Sequence, residues 1–288
     1  MWHKRADARR GGAVGDIRGR RAAATRAAAK RDPMKLVVVL PTYNEIGNLA
    51  RVAGEVLGLE LPGIDLRLLI VDDASADGTG AAADALARSH PERVEVLHRP
   101  AKRGLGSAYL EGFARALDGG ADLVAQMDAD LSHEPRVLGA MTAAARDADL
   151  VIGSRYTPGG STDAVWGWHR KLLSRLANRT VVPALLALPV SDATSGFRVW
   201  RRETLARIAP AANVRSCGYG FQVEMAFLAH RHGSRIREVP IHFRQRERGH
   251  SKMTWSVALG AIGEIFSIRR QHRASAAPRA AGGDERST

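Results

Sequence analysis

Lys35–Leu40 reads KLVVVL, a continuous apolar run rich in β-branched residues, and PTYNE follows at once. Such a run has no polar side to turn toward water, so it suits a strand buried on both faces of a parallel sheet. The pattern then recurs with helical stretches between. Ile46–Leu57 carries a helical period, and Leu66–Val71 (LRLLIV) is a second strand that stops at Asp72 and Asp73. Ser75, Asp77 and Gly78 supply turn and cap chemistry before an Ala-rich helix. Val94–Leu97 is a third strand, a helix opens at Gly104 and runs to Leu117, Asp122–Met127 is a fourth strand and Leu150–Ile152 a fifth. Strands alternating with helices through short connections predict an α/β fold: a doubly wound, mostly parallel sheet flanked by helices, in a single domain. The second half is less regular. It predicts a helix or helix pair over Trp168–Leu188 broken at Pro183, strands over Phe197–Trp200 and Ile236–Phe243, and helices over Gly220–Arg231 and Thr254–Ile268.

The net charge of +13 suggests nucleic acid until it is located. Residues 1–33 hold ten Lys/Arg against three Asp, and residues 269–288 hold five Arg against Asp284 and Glu285, so the tails carry +7 and +3 and 34–268 only +3. A basic groove that reads nucleic acid is not predicted by that distribution. Basic tails suit either attraction to anionic lipid or plain solvation. The organisation expected is a basic disordered tail over 1–33, one catalytic domain over 34–268 and a second basic disordered tail over 269–288. Met34 stands directly before the first strand and is a candidate start of translation. No apolar run reaches the length of a membrane span, and the first 33 residues lack the apolar stretch of a signal peptide. The single cysteine, Cys217, excludes an internal disulfide and a cysteine-based zinc site.

In parallel α/β sheets ligands bind outside the carboxyl ends of the strands. Tyr43 and Glu45 follow the first strand, Asp72 and Asp73 the second, Asp128 and Asp130 the fourth, and Arg155 the fifth. Any one carboxylate there suits a helix cap or turn; the set together points to a site. Asp128-Ala129-Asp130 is the sharpest part. Alternate carboxylates at a strand end can share one hard divalent cation, Mg²⁺ or Mn²⁺, which prefers oxygen ligands and keeps substrate phosphates in its shell. Gly104-Leu-Gly106 reads as a helix start needing unusual backbone angles or, alternatively, as a phosphate cradle. Arg155, Arg170, Lys171, Arg246 and Lys252 are basic residues suited to phosphate, unless they are ordinary surface charges. Gly249-His-Ser251-Lys252 suits a loop that closes over a diphosphate.

With these residues in view, the chain resembles the family 2 glycosyltransferases of the dolichol- and polyprenol-phosphate mannosyltransferase type. The resemblance spans Met34 to Ile268 and rests on LPTYNE (40–45), VDDASADGT (71–79), GLGSAY (104–109), MDADLSHEP (127–135), GSRY (153–156), RKLLSRLAN (170–178), SDATSGFR (191–198), GYGFQVEM (218–225), EVPIHF (238–243) and GHSK (249–252). It implies a GT-A fold, GDP-mannose as donor and polyprenyl phosphate as acceptor. Carried over by position, Pro41, Tyr43, Glu45, Val71 and Asp73 would hold the guanosine part. Asp128, Ala129 and Asp130 would sit at the metal and diphosphate, and Arg155, Arg246 and Lys252 would engage the donor phosphates or the sugar. Asp130, Arg155, Arg246 and Lys252 are thus the expected catalytic residues, with Arg170 and Ser174 toward the acceptor phosphate. Ser132 departs from the pattern, since some relatives place a metal-binding Gln two residues past the second Asp.

The implied chemistry needs no Ser-His-Asp arrangement, because a phosphate monoester with a second pKa of about 6 is already an anionic nucleophile near neutral pH. Thr254–Ile268 carries an apolar face too short to span a bilayer. It suits either an interfacial helix or one packed on the body or on a membrane-protein partner. The expected place of work is the cytoplasmic face of the membrane, held peripherally. The rivals are the same fold with another nucleotide-sugar such as UDP-glucose, or another acceptor, and a non-catalytic binding protein. The tail-weighted charge and scarce aromatics disfavour a nucleic-acid partner.

Overall fold

The computed structural model describes residues 32–163, 182–209, 219–244, 263 and 265–272. In chain order the strands are β1 (Met34–Thr42), β2 (Ile64–Asp72), β3 (Val94–His98), β4 (Leu123–Gln126), β5 (Leu150–Ser154), β6 (Ser161–Thr162), β7 (Arg198–Arg201), β8 (Ile236–Pro240) and β9 (His242–Phe243). The helices are α1 (Ile46–Leu57), α2 (Thr79–Ser89), α3 (Leu105–Asp118), α4 (Leu138–Ala144), α5 (Val182–Leu186), α6 (Arg202–Ile208), α7 (Tyr219–Arg231) and α8 (265–272).

Seven strands form the main sheet in the order β3-β2-β1-β4-β7-β5-β8, and β6 pairs with β9 in a small second ladder. Within the main sheet β7 alone runs antiparallel, wedged between β4 and β5. The chain winds outward from β1 through β2 to β3, then crosses back to place β4 on the other side of β1. That reversal puts a topological switch point at β1 and β4, where open α/β sheets hold their ligands.

The continuous apolar run of β1 is explained by burial on both faces. Val37 and Val39 point into one apolar cluster with Ala108, Tyr109, Phe113 and Ala116 of α3. Leu36, Val38 and Leu40 point into the other with Leu49, Val52, Ala53 and Val56 of α1. Strand alternation sends successive side chains to opposite layers, and each fully buried aliphatic contributes about 1.5–3 kcal/mol relative to exposure.

Two local expectations change. The stretch expected as one strand over Ile236–Phe243 is β8 and β9, interrupted at Ile241, whose amide turns to the Ser154 carbonyl (3.0 Å). Pro183 is the second residue of the helical Val182–Leu186, and the break expected there falls against residues 164–181, which lie outside the described residues. The C-terminal helix continues past Ile268 to His272. Ile265 and Ile268 are buried in the apolar cluster shared with α3 and α7, so this portion packs on the body.

Candidate active site

The strand ends at the carboxyl edge turn tightly. Asn44 (φ 56°), Ala74 (φ 58°) and Leu131 (φ 63°) follow β1, β2 and β4 in left-handed backbone conformation. Asparagine tolerates that region, but alanine and leucine do so at a cost of about 1–3 kcal/mol each, a strain that surroundings must hold in place and that clusters at functional sites.

The surroundings are a cross-stitched pair of loops. Asp73 N donates to Thr42 O (2.9 Å), Asn44 N to Ser75 Oγ (2.9 Å), Glu45 N to Thr79 Oγ1 (2.9 Å) and Ala76 N to Asn44 Oδ1 (3.0 Å). Pro41 and Val71 are register partners of β1 and β2. Pro41 lies beyond Val39, the last β1 residue paired with β4, so its missing N–H removes no bond to that strand. Glu45 Oε2 accepts from Asn48 Nδ2 (2.7 Å). Tyr43 stands 39% exposed at the rim with Lys102 Nζ 3.5 Å above its ring centre, a cation–π contact. The five residues expected around a nucleoside therefore share one corner of the sheet edge.

The two adjacent aspartates have separate tasks. Asp72 accepts from Thr42 Oγ1 (3.2 Å) and Ser75 Oγ (2.6 Å) and closes its own turn. Asp73 reaches the next segment. Its carboxylate accepts from the amides of Arg103 (3.0 Å) and Gly104 (2.9 Å) and pairs with Arg99, whose side chain is fully buried. Arg99 also donates to Ser107 Oγ (2.7 Å) and Glu111 Oε2 (3.1 Å), tying Asp73 to α3. Gly104 has φ 91°, the unusual backbone angle expected of a helix start here.

One turn further along α3, Tyr109 Oη donates to Asp128 Oδ1 (2.9 Å). Gly104 and Tyr109 are five residues apart, about 7.5 Å along a helix axis at 1.5 Å per residue, so α3 brackets Asp73 and Asp128 within one small region. Burial, then the charge of Asp128 and the bond to it, push the Tyr109 hydroxyl well above its usual range, so it stays protonated and donates. Asp128 N donates to His133 Nδ1 (3.2 Å), which puts the proton of a neutral ring on Nε2. Asp130 is buried, and its Oδ1 accepts from the amide (3.1 Å) and hydroxyl (2.5 Å) of Ser132. Ser132, fully buried, thus braces Asp130. Ala129 is buried between the two carboxylates in sequence.

Arg155 follows β5 and is 6% exposed. Nε and Nη2 grip both oxygens of Asp192 (2.7 and 2.6 Å), and Nη2 also donates to Thr194 Oγ1 (2.8 Å). Asp192 is itself anchored, its amide donating to Glu238 Oε1 of β8 (2.9 Å). The guanidinium lies 5.3 Å from the centre of the Phe243 ring, and Phe243 meets His133 edge-on at 5.5 Å. Arg155 is therefore joined to the Asp128–Asp130 loop through Phe243 and His133. From β9 the chain continues against that loop: Arg244 N donates to Ser132 O (3.0 Å), and its side chain pairs with Glu134 (2.8 Å).

Arg170, Ser174, Arg246 and Lys252 lie outside the described residues. Sequence reasoning missed Arg99, Tyr109, Asp192 and Arg198. Arg198 is completely buried, donates to the carbonyls of Ser195 (2.9 Å) and Ala193 (2.7 Å), and leaves Nη1 without a hydrogen-bond partner. Burial pulls it down to about 9 against the opposing pull of Asp192 and Tyr109, so it is a cation at neutral pH. Tyr109, Asp192 and Arg198 sit inside segments that carried the resemblance, and Arg99 between two of them; for Arg99, Tyr109 and Asp192 the missing signal was long-range pairing.

A Ser-His-Asp chain does occur: Ser161 Oγ lies 2.8 Å from His242 Nδ1, and His242 Nε2 lies 2.9 Å from Asp163 Oδ1. The ring is reversed relative to hydrolase triads, where serine meets Nε2 and aspartate meets Nδ1. Both bonds are exposed and link the β6 segment to β9, so the chain works as a pin.

Asp128 and Asp130 offer hard oxygen donors suited to Mg²⁺ or Mn²⁺. Among the described residues no three His, Cys, Asp or Glu side chains gather as a metal cage. The fit is to a partial shell completed by substrate phosphates and water, the usual manner for Mg²⁺.

The model of glycosyl transferase family 2 matches residues 37–208. The chain is 46% identical over 230 residues to the polyprenol monophosphomannose synthase of Mycolicibacterium smegmatis, covering 80% of this chain and 84% of that protein. It is also 46% identical over 229 residues to the undecaprenyl-phosphate mannosyltransferase of Micrococcus luteus, covering 80% and 91%. Identity to the dolichol-phosphate mannosyltransferase of Pyrococcus furiosus is 33% over 242 residues, covering 82% and 64%. Among solved structures, a glucosyl-3-phosphoglycerate synthase from Mycobacterium tuberculosis with Mn²⁺, UDP and phosphoglyceric acid shares the fold at TM-score 0.57 and 20% identity, covering 93% of this chain and 85% of that one. The sheet, its strand ends and these matches agree, and the chain belongs to glycosyl transferase family 2.

Proposed function

We propose that this glycosyltransferase moves mannose from GDP-mannose to polyprenyl phosphate, with inversion at the anomeric carbon, at the cytoplasmic face of a membrane. The observation that carries this reading is the Asp128–Asp130 pair at the switch point, in a chain 46% identical to enzymes named for polyprenyl and undecaprenyl phosphate. The nucleoside would lie in the corner of Pro41, Tyr43, Glu45, Val71 and Asp73, and the diphosphate at Asp128, Ala129 and Asp130. A divalent ion bound there would neutralise the departing diphosphate. Arg155 is held by Asp192 with its guanidinium plane fixed, and would supply a preorganised positive charge to the donor phosphates or the sugar. An oxygen of the acceptor phosphate would form the new bond to the anomeric carbon as the bond to the nucleoside diphosphate breaks on the opposite face. Arg170 and Ser174 would receive the acceptor phosphate, and Arg246 and Lys252 would close on the donor.

No helix among the described residues is long and apolar enough to cross a membrane. Peripheral attachment through the basic tails and the segment 254–268, or through a membrane-protein partner, is part of this proposal.

The test combines a donor panel with mass spectrometry of the lipid product from purified protein, Mn²⁺ and mixed polyprenyl phosphates. A polyprenyl phosphohexose formed from GDP-mannose supports the reading; product from UDP-glucose alone replaces the donor. Asp130→Ala abolishes transfer of radiolabelled sugar, and substantial residual turnover would count against the metal role.

A further inference from the structure

Asp128 is held from three directions that no metal is needed to explain. Tyr109 Oη donates to Oδ1 (2.9 Å), and the residue's own amide is tied to His133 Nδ1 (3.2 Å). The third constraint is Gly196, just before β7: a Cβ built there would stand 3.1 Å from Oδ2 and 3.3 Å from Oδ1. A side chain there would have to push the carboxylate away by a few tenths of an ångström, so the glycine sets how closely the backbone lies against it.

Tyr109 itself has no freedom. It is completely buried and sits between Phe113 (5.7 Å between ring centres) and Phe221 (6.0 Å, planes 2° apart). Its hydroxyl therefore stands at a fixed point, set by α3 and α7, at the end of β4. A buried polar tip on a stacked aromatic is retained where it has a partner, and here the partner is one of the two carboxylates of the β4 end.

We propose that Tyr109 is a positioning residue that fixes the Asp128 carboxylate for the divalent cation, with Gly196 as the opposing wall that leaves the carboxylate one orientation. This rests on the assignment of Asp128 to the metal made above. The hydroxyl takes one acceptor position of Oδ1 and stops rotation about the side chain; the amide of Asp128 is pinned to His133 independently. The two partners arrive from segments distant in sequence, so the constraint belongs to the tertiary fold.

Tyr109→Phe keeps both ring stacks and removes one oxygen. Losing an outer contact to a metal ligand typically weakens metal binding about 10- to 100-fold. The measurement is Mn²⁺ binding in the presence of GDP, read by electron paramagnetic resonance of free Mn²⁺, with the Mn²⁺ dependence of transfer alongside. The expected result is a loss of Mn²⁺ affinity of about tenfold or more, an equal rise in the Mn²⁺ needed for half-maximal rate, and an unchanged KM for polyprenyl phosphate. A merely structural defect would move both substrates and the melting curve together. Gly196→Ala, which pushes on the same carboxylate from the other side, shifts Mn²⁺ affinity in the same direction and decides the matter should Tyr109→Phe fail to fold. Wild-type Mn²⁺ affinity in either folded variant overturns the proposal alone. Absence of Mn²⁺ binding by the wild-type protein with GDP overturns both this proposal and the metal role of Asp128.

Discussion

Arg155 and Asp192 meet as a two-pronged ion pair with almost no exposure: Nε and Nη2 of the arginine reach both carboxylate oxygens at 2.7 and 2.6 Å, and the two residues are 6% and 0% exposed. The pair joins the end of β5 to the segment before β7, and Glu238 of β8 holds the amides of Ser191 and Asp192 from below (2.9 Å each). Removing one member of a buried pair leaves the other charge desolvated, at a cost of about 3–5 kcal/mol. Asp192→Ala is expected to lower unfolding free energy by that amount in urea titrations. Arg155→Lys keeps a charge but loses the planar fork, so a fall in kcat/KM with a smaller loss of stability is expected. Equal stability losses in the two variants would argue that the fork serves folding alone.

Arg99 gives a second, independent prediction. Its buried guanidinium connects Asp73 to Ser107 and Glu111 of α3, and the same Asp73 holds the amides of Arg103 and Gly104. Arg99→Met removes the cation and leaves the Asp73 carboxylate on backbone donors. The expected outcome is a loss of roughly 3–5 kcal/mol of stability and weaker GDP binding by calorimetry, since Asp73, proposed to hold the nucleoside, is bonded to Arg99 and to the amides of Arg103 and Gly104. Full GDP affinity in a folded Arg99→Met protein would remove Asp73 and its partners from donor recognition.

What the sequence made legible was whatever a period or a run encodes. The apolar runs gave β1, β2 and β4, and the helical period placed α1 at Ile46–Leu57, its observed bounds. Tyr43, Asp73, Asp128 and Arg155 each follow a strand of the main sheet, as the strand ends predicted. Three features had no such signal. β7 is antiparallel between β4 and β5, and strand order is a tertiary property that its four residues do not carry. β6 is only two residues long, too short to show an alternation, and β9 was legible only as the end of a longer expected strand. Arg99 lies between recognised segments and Asp192 and Arg198 inside one, but nothing local says that Arg99 meets Asp73, that Asp192 meets Arg155, or that Arg198 is completely buried. Tyr109 was inside a recognised segment, but nothing local says that its hydroxyl meets Asp128.

Glu134 supplies a pH dependence. Burial raises its pKa, but the bonds and charges of Arg136 and Arg244 outweigh that, and the carboxyl is held below the usual glutamate value. A depressed folded-state pKa means the folded protein binds the proton less readily than the unfolded chain does. The stabilisation is therefore complete above the unfolded value of about 4.3 and is lost as pH falls through the lower folded value. Glu134→Gln is expected to flatten the decline of stability below about pH 4.3, measured as urea midpoints across a pH series. Because Arg244 N also donates to Ser132 O, the variant should loosen the approach of β9 to the Asp130 loop. An unchanged slope would show that Arg136 and Arg244 do not hold the Glu134 carboxyl below its unfolded value.

The C-terminal helix separates two meanings of membrane attachment. Ile265 and Ile268 are buried against the α3 and α7 side of the sheet, His272 Nε2 lies 2.9 Å from the fully buried Glu224 Oε1, and Arg231 donates to the His272 carbonyl. Phe266 stands 54% exposed between the two isoleucines. A chain ending at Ser267 would lose Ile268, worth about 1.5–3 kcal/mol of burial, and would take His272 from Glu224. Its unfolding would then confound any lipid measurement. A chain ending at His272 removes only 273–288, so its melting temperature should match that of the full chain. If the basic tail attracts lipid, flotation of this shorter chain with anionic vesicles falls, and the difference vanishes at high salt as exposed charges are screened. Equal flotation of the two chains at low salt would assign the membrane contact to residues before 273, and Phe266→Ser would then be the substitution to test against it.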